Sequence, residues 1–188
     1  MSELDCALAI PCYRESERLP RFLGPLCEAL LASPRRVGLI VVDDGSGAEE
    51  AAKLELCVQR ARERHALPIE LLQLPQNRGK GYAIRSAWAT SPECRYLGFV
   101  DADGAAGPAA FLEVLEAAMS AEADSMVIGS RYAPGNATRR RWNRLMMSRV
   151  FYWTIRLRYR IEILDTQCGC MVVPRSLFRE VAASLTED

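Results

Sequence analysis

Short runs of β-branched and other apolar residues recur along the chain, each followed by a turn and then by a helical pattern. The runs lie at residues 6–10, 37–42, 69–74, 96–100, 126–129 and 170–173. Residues 38–42 are apolar throughout instead of alternating with polar ones, which is typical of a strand buried on both faces. The alternation of strands with helices predicts an α/β fold, with a mostly parallel sheet flanked by helices.

The predicted helices begin at recognisable signals. They cover residues 19–31, 48–64, 80–89, 111–119 and 175–183. Gly79 precedes the third helix, and Pro108 suits the first turn of the fourth. One segment, residues 132–163, departs from the alternation: Pro134 opens a loop there, and an arginine-rich aromatic helix is expected to follow.

Composition narrows the class of protein. A chain of 188 residues that is 49% hydrophobic fits a single domain. Lys plus Arg equal Asp plus Glu at 24 each, so no nucleic-acid partner is expected. The 7 cysteines are scattered and lack zinc spacing, which favours reduced thiols in a cytoplasmic protein. Neither a signal peptide nor a long apolar stretch is present, so the chain as given is expected to be neither secreted nor membrane-spanning.

Acidic pairs follow two of the predicted strands, at the edge of the sheet where ligands of open α/β folds bind. Asp101 and Asp103 leave the fourth strand through a small residue and a glycine, so both carboxylates can turn toward one point. A divalent cation would relieve their repulsion. All-oxygen ligands favour Mg²⁺ or Mn²⁺, which commonly bridge to substrate phosphates. The pattern therefore predicts a metal-bound diphosphate.

A single Asp-x-Asp pattern is more often a turn or a helix cap than a metal site. Here the preceding apolar strand, the glycine at 104 and the second pair, Asp43 and Asp44, favour the metal site. We expect one residue of the second pair to accept from a base N–H or a ribose hydroxyl. The other would cap the helix that begins near Ala48. The residues themselves do not assign these two roles.

A glycine-rich segment, residues 77–81, follows the third strand. Its Lys80 offers a positive charge to a phosphate. The segment matches neither G-x-G-x-x-G nor G-x-x-x-x-G-K-[ST], which argues against a dinucleotide oxidoreductase and a P-loop NTPase.

Together these segments resemble the family 2 glycosyltransferases of the GT-A (Rossmann-like) fold, and within them the dolichyl-phosphate glucosyltransferases and polyprenyl-phosphate sugar synthases. The matching segments are residues 10–15, 41–46, 77–81, 101–105, 129–131 and 165–169, in family order. The resemblance implies an inverting transferase that moves a sugar, with glucose on a uridine diphosphate as the expected donor, to a polyprenyl or dolichyl phosphate. Residues 1–188 would form its catalytic domain, truncated at the C-terminus.

The resemblance also implies site residues. The expected nucleotide-sugar ligands are Pro11, Tyr13, Glu15, Asp43, Asp44, Lys80, Asp101 and Arg131. Asp103 would bind the Mg²⁺ or Mn²⁺ directly, and Asp101 would assist either the metal or the ribose. Two departures from the family pattern concern Arg14, which replaces the usual asparagine, and Cys170-Met171, which replaces an aromatic residue and a lysine.

The segment 132–163 is strongly basic, with 8 arginines and no acid between Arg139 and Arg160. One hypothesis is an interfacial helix at the inner face of the membrane, whose Arg139, Arg140 and Arg141 bind the acceptor phosphate. The alternative is an amphipathic helix packed on the sheet with a solvated basic face.

The chemical type of the acceptor determines whether sugar transfer needs a general base. A lipid phosphate is already anionic at pH 7 and needs no strong base, whereas a hydroxyl acceptor would need one. The candidate bases are Asp165 and the terminal pair of Glu187 and Asp188. Two other functions stay open: a nucleotide-sugar-binding domain without turnover, and a sugar nucleotidyltransferase. The latter is expected to carry a basic glycine-rich loop after the first strand, which residues 11–15 lack.

Overall fold

The computed structural model describes residues 4–121, 124–129, 168–182 and 184, and these form six strands and five helices. The strands are β1 (Leu4–Cys12), β2 (Val37–Asp43), β3 (Ile69–Gln73), β4 (Cys94–Val100), β5 (Val127–Ile128) and β6 (Cys170–Pro174). The helices are α1 (Leu19–Ala32), α2 (Ala48–Arg64), α3 (Lys80–Thr90), α4 (Pro108–Ser120) and α5 (Arg175–Ala182). The predicted α/β class is confirmed. The fourth helix, expected at residues 111–119, begins earlier, at Pro108, which lies in its first turn as Pro108 suggested.

The strands form one sheet in the order β3-β2-β1-β4-β6-β5. β1 pairs in parallel with β2 and β4, and β2 pairs in parallel with β3. β6 runs antiparallel to both β4 and β5. The sheet is therefore mostly parallel, as predicted, with one reversed strand that brings the start of β6 beside the end of β4.

Helices cover both faces of the sheet. All seven residues of β2 are buried, as expected for a central strand. Along β1, Leu8 and Ile10 belong to the core beneath α1, α2 and α4, whereas Ala7 and Ala9 belong to the core beneath α3 and α5. Burying one leucine or isoleucine side chain completely contributes roughly 1.5–3 kcal/mol to the stability of the fold. The two cores therefore stabilise the strands whose ends carry the loops of the site.

The strand order reverses at β1. β2 and β3 extend the sheet on one side of β1, and the chain then returns so that β4 pairs with the other side of β1. Ligands of open α/β sheets bind at such a switch point, beyond the carboxyl ends of the strands. A ligand is therefore expected at the loops that follow β1 and β4.

Two further features of the structure concern membrane spans and cysteines. No helix in the described part of the chain combines the length and the apolar character that a bilayer span requires. All seven cysteines fall within the described ranges and are free thiols.

Candidate active site

A cleft of about 400 Å³ opens at the carboxyl edge of the sheet, between the ends of β1 and β4. We call it the carboxyl-edge cleft, and its lining residues are Pro11, Cys12, Tyr13, Glu15, Asp44, Asn77, Gly79, Lys80, Asp101, Ala102 and Asp103. Seven of the predicted site residues thus share one cavity. Asp43 is buried nearby but does not line it.

The remaining predicted site residues lie outside the described residues. They are Arg131, Arg139, Arg140, Arg141, Asp165, Glu187 and Asp188, and the whole basic segment 132–163 falls outside as well. Their assigned roles stay predictions.

The loop after β1 carries an unusual backbone conformation. Arg14 has a φ of 57°, in the left-handed region that residues other than glycine, asparagine and aspartate seldom adopt. Its backbone N–H donates to Ser46 Oγ at 2.9 Å, which ties the loop to the turn after β2. The neighbouring Tyr13 is 44% exposed and lines the mouth of the cleft, where its ring can cover a ligand.

Glu15 links the same loop to α1. Its carbonyl oxygen accepts hydrogen bonds from the N–H groups of Arg18 and Leu19, and its carboxylate lies 2.8 Å from Arg18 Nε. Burial raises the pKa of the Glu15 carboxyl, Arg18 opposes this, and Asp103 and Asp101 add to it. Glu15, Asp101 and Asp103 thus line the same cleft and are close enough for their carboxylates to interact.

The structure assigns different roles to the two buried aspartates after β2. Asp43 Oδ1 accepts from the N–H of Ser46 at 3.0 Å. Asp44 accepts from the N–H groups of Arg78 and Gly79 through its two oxygens, at 2.9 and 2.8 Å. The expectation that one of the pair caps α2 is wrong, because the residue at that position is Gly47 and no side chain caps the helix. Asp43 instead closes the turn after β2, and Asp44 binds the loop that precedes α3.

Asp44 thereby clamps the glycine-rich loop that precedes α3. Gly45 contributes through close packing, since a Cβ at this position would overlap the backbone of Gln76 and Asn77. The φ of Gly45 is 66°, which also favours glycine. Two loops that follow neighbouring strands are therefore locked together at the edge of the cleft.

Lys80, the first residue of α3, points from this clamped loop across the cleft. Its Nζ forms an ion pair with Asp101 Oδ1. The ammonium also lies 4.8 Å from the centre of the Phe99 ring, within the range of a cation–π contact. The lysine that was predicted to bind phosphate therefore contacts Asp101, one of the predicted metal ligands, directly.

The two acidic residues after β4 differ in their surroundings. The Asp101 N–H donates to the carbonyl oxygen of Gly169 at 2.9 Å, and a Cβ on residue 169 would overlap Asp101 Oδ2. One oxygen of Asp101 therefore lies against the chain just before β6, and the other faces Lys80. Asp103 is exposed, and its Oδ1 accepts from the N–H of Ala105 at 2.9 Å. Its carboxylate is open to ligands from the cleft.

The two carboxylates after β4 fit a divalent cation that also binds substrate phosphates. Among the described residues, no three acidic, histidine or cysteine side chains converge closely enough to hold a metal. Mg²⁺ commonly binds through one or two carboxylates and completes its shell with substrate phosphates and water. The pair Asp101 and Asp103 supplies that smaller number of ligands.

Cys12 lines the cleft but is unsuited to nucleophilic chemistry. Burial raises the pKa of its thiol well above the ordinary value, and the nearby carboxylates of Glu15 and Asp43 add to this. The side chain is 1% exposed and belongs to the core beneath α1, α2 and α4, so Cys12 is a packing residue.

Sequence reasoning missed the individual roles of Phe99 and Gly169. Phe99 belongs to an apolar run that looked purely structural, and its contact with Lys80 depends on the alternation of side chains along β4. Gly169 belongs to residues 165–169, one of the segments that resemble the family, but only the reversed direction of β6 places it against Asp101.

Comparisons with known proteins agree with this geometry. A family model described as "Glycosyl transferase family 2" matches residues 7–182. A dolichyl-phosphate beta-glucosyltransferase from Drosophila melanogaster is 32% identical, across 97% of this chain and 58% of that protein. A polyprenol monophosphomannose synthase from Mycolicibacterium smegmatis is 28% identical, across 95% of this chain and 65% of that protein. The chain thus spans less than two thirds of the length of these relatives.

Solved structures share the fold at low sequence identity. Glucosyl-3-phosphoglycerate synthase from M. tuberculosis has a TM-score of 0.65 and 17% identity, across 93% of this chain and 59% of that one. A mannosyltransferase from Pyrobaculum calidifontis, in complex with GDP-Man and Mn2+, has a TM-score of 0.61 and 15% identity, across 96% of this chain and 47% of that one. Both are GT-A glycosyltransferases, so the predicted fold is confirmed.

Proposed function

Because the chain belongs to glycosyl transferase family 2, we propose that it is the donor-binding catalytic domain of a metal-dependent enzyme that transfers a sugar to a polyprenyl or dolichyl phosphate. The proposed donor is a nucleoside diphosphate sugar, with glucose and uridine diphosphate as the first candidates. The curated relatives named above, a glucosyltransferase and a mannosyltransferase of this acceptor class, support the proposal.

The observation that carries the proposal is the convergence of carboxylates and one lysine in the carboxyl-edge cleft. Asp101 and Asp103 follow β4, Glu15 follows β1, and Lys80 reaches in from α3. A diphosphate with a divalent cation matches this set, because the cation suits the carboxylates and the lysine suits the phosphate oxygens.

The chain's residues have distinct roles in this proposal. Tyr13 covers the nucleotide at the mouth of the cleft, and Pro11 forms part of its wall. Asp44 holds the loop that carries Lys80, so it positions the phosphate-binding group as well as lining the cleft. Asp103 presents an exposed carboxylate to the cation. When bound, a divalent cation would neutralise the negative charge that develops on the departing diphosphate.

The acceptor chemistry supports the same proposal. A lipid phosphate arrives as an anion at pH 7, and transfer to it needs no strong general base. We propose that the basic segment 132–163 receives this phosphate through Arg139, Arg140 and Arg141. Asp165 and Asp188 stay the candidate bases for a hydroxyl acceptor. A location at the inner face of the membrane belongs to the same proposal.

A transfer assay tests the function. Purified protein is incubated with Mn²⁺, radiolabelled UDP-glucose or GDP-mannose, and polyprenyl phosphate in detergent micelles, and the lipid fraction is counted. We expect label in the lipid with UDP-glucose. Asp103→Asn should lower the rate about 100-fold or more, since the metal stabilises the transition state by several kcal/mol.

Asp124→Asn is the matched control, because Asp124 is an exposed acid that bonds Ser176 Oγ outside the cleft. This variant should retain the wild-type rate. Donor binding without transfer to any acceptor would favour a nucleotide-sugar-binding domain. Transfer that is unaffected by Asp103→Asn would contradict the proposed metal ligand.

A further inference from the structure

We propose that the Lys80 ammonium is an exchangeable counterion of Asp101 that competes with the divalent cation, so that the cation and the donor diphosphate bind cooperatively. This inference rests on the proposed function and concerns the order in which the same cleft accepts its ligands. It assigns Lys80 a role on the carboxylate, in addition to its expected role on the phosphate.

The first step of the argument is that Lys80 and a cation need the same oxygen. Asp101 Oδ1 is the atom that contacts Lys80 Nζ. The other oxygen, Oδ2, lies against the backbone of Gly169 so closely that no Cβ fits there. A cation approaching Asp101 from the cleft therefore meets the oxygen that Lys80 already neutralises.

The second step concerns electrostatics. At about 4 Å and an effective dielectric near 20, unit charges interact strongly enough to change binding by more than tenfold. A divalent cation at Asp101 would therefore be repelled by Lys80 unless the ammonium moves away. The side chains of Lys80 and Asp101 are 47% and 31% exposed, so the ion pair is accessible and its members can separate.

The third step is that only the end of the lysine has to move. Asp44 holds the backbone N–H groups of Arg78 and Gly79, which fixes the start of α3. The lysine stem is flexible, and its ammonium rests between Asp101 and the face of Phe99, where it can exchange Asp101 for another anionic partner. Movement of one side chain can thus exchange partners without rearranging the loop.

A diphosphate completes the exchange. Its oxygens offer Lys80 a new anionic partner while they offer the cation additional ligands. Donor binding thereby frees Asp101 Oδ1 for the cation. Because coupling between two ligands is reciprocal, the cation must strengthen donor binding by the same factor.

The test measures Mn²⁺ binding to the wild-type protein and to Lys80→Met, from the electron paramagnetic resonance signal of unbound Mn²⁺. Each titration is run with and without uridine diphosphate. We expect Lys80→Met to bind Mn²⁺ alone on the order of tenfold more tightly than the wild type, because Asp101 has lost its counterion. The factor by which uridine diphosphate tightens Mn²⁺ binding should be smaller in Lys80→Met.

Two further variants separate this role from a general effect of charge. Lys80→Arg keeps a cation at the same place, so its affinity for Mn²⁺ alone should stay close to that of the wild type. Lys53→Met removes the only other lysine of the chain, which pairs with Glu49 and Glu50 on α2. This control should bind Mn²⁺ as the wild type does.

The outcomes distinguish this inference from the function on which it rests. If uridine diphosphate and Mn²⁺ bind together but Lys80→Met leaves both the affinity for Mn²⁺ alone and the coupling factor unchanged, the counterion role is wrong and the function stands. If the wild type binds no uridine diphosphate in the presence of Mn²⁺, both the inference and the proposed function are overturned.

Discussion

At the scale of single residues, Arg14 combines a strained backbone with few side-chain contacts. Its φ of 57° places it in the left-handed region, and its guanidinium lies 5.2 Å from the centre of the Tyr13 ring. Asparagine tolerates the left-handed conformation because its short amide can bond locally.

We predict that Arg14→Asn raises the free energy of unfolding by about 0.5–1 kcal/mol. The hydrogen bond to Ser46 Oγ is donated by the backbone N–H of residue 14, so it should survive the change of side chain. Urea denaturation of the wild type and the variant, analysed with a common slope, measures the difference.

Arg14→Ala is the control, since alanine loses the same side-chain contact but lacks the tolerance of asparagine for this conformation. Equal stability of the asparagine and alanine variants would show that backbone strain at residue 14 is not the cause.

At the scale of elements, the reversed strand β6 does more than extend the sheet. It pairs with β4 so that Val100 lies opposite Cys170, and the residues just beyond, Asp101 and Gly169, meet at the edge of the cleft. The antiparallel direction is what brings a glycine against a predicted metal ligand. An extra methyl group there must displace either the strand end or the carboxylate.

We predict that Gly169→Ala lowers the affinity for a Mn²⁺–uridine diphosphate complex about tenfold or more while the protein stays folded, because the Asp101 carboxylate must move. Calorimetric titration and circular dichroism measure the two effects.

Gly107→Ala is the matched control. A Cβ at residue 107 meets no heavy atom within 4 Å, and the residue precedes α4 near the same edge of the sheet. Unchanged donor affinity in Gly169→Ala, or an equal loss in Gly107→Ala, would contradict the proposed contact.

Element boundaries could be predicted because their signals are local. The helix expected at residues 48–64 is observed as Ala48–Arg64, and the one expected from residue 80 begins at Lys80. The direction of β6 could not be predicted, because an apolar run carries no information about strand polarity. The separate roles of Asp43 and Asp44 could not be predicted either, since they depend on which backbone N–H groups another loop presents.

At the scale of the whole molecule, the topology gathers residues that are distant along the chain into one cleft. Loops after β1 and β4 face each other because β1 and β4 are neighbours in the sheet, and the loop before α3 joins them through Asp44. The strand ends, the glycine-rich segment and the family resemblance together predicted seven of the residues that line this cleft. They did not predict that Lys80 and Asp101 would pair, because that contact spans two loops whose spacing only the folded sheet determines.

The central claim is that the carboxyl-edge cleft binds a nucleoside diphosphate together with a divalent cation held by Asp103. Titration of uridine diphosphate into the protein by calorimetry, with Mn²⁺ and then with a chelator, tests it most directly when repeated on Asp103→Ala. The account predicts binding that requires Mn²⁺ and that Asp103→Ala weakens at least about tenfold. Binding of equal strength with and without Mn²⁺, unchanged in Asp103→Ala, would contradict it.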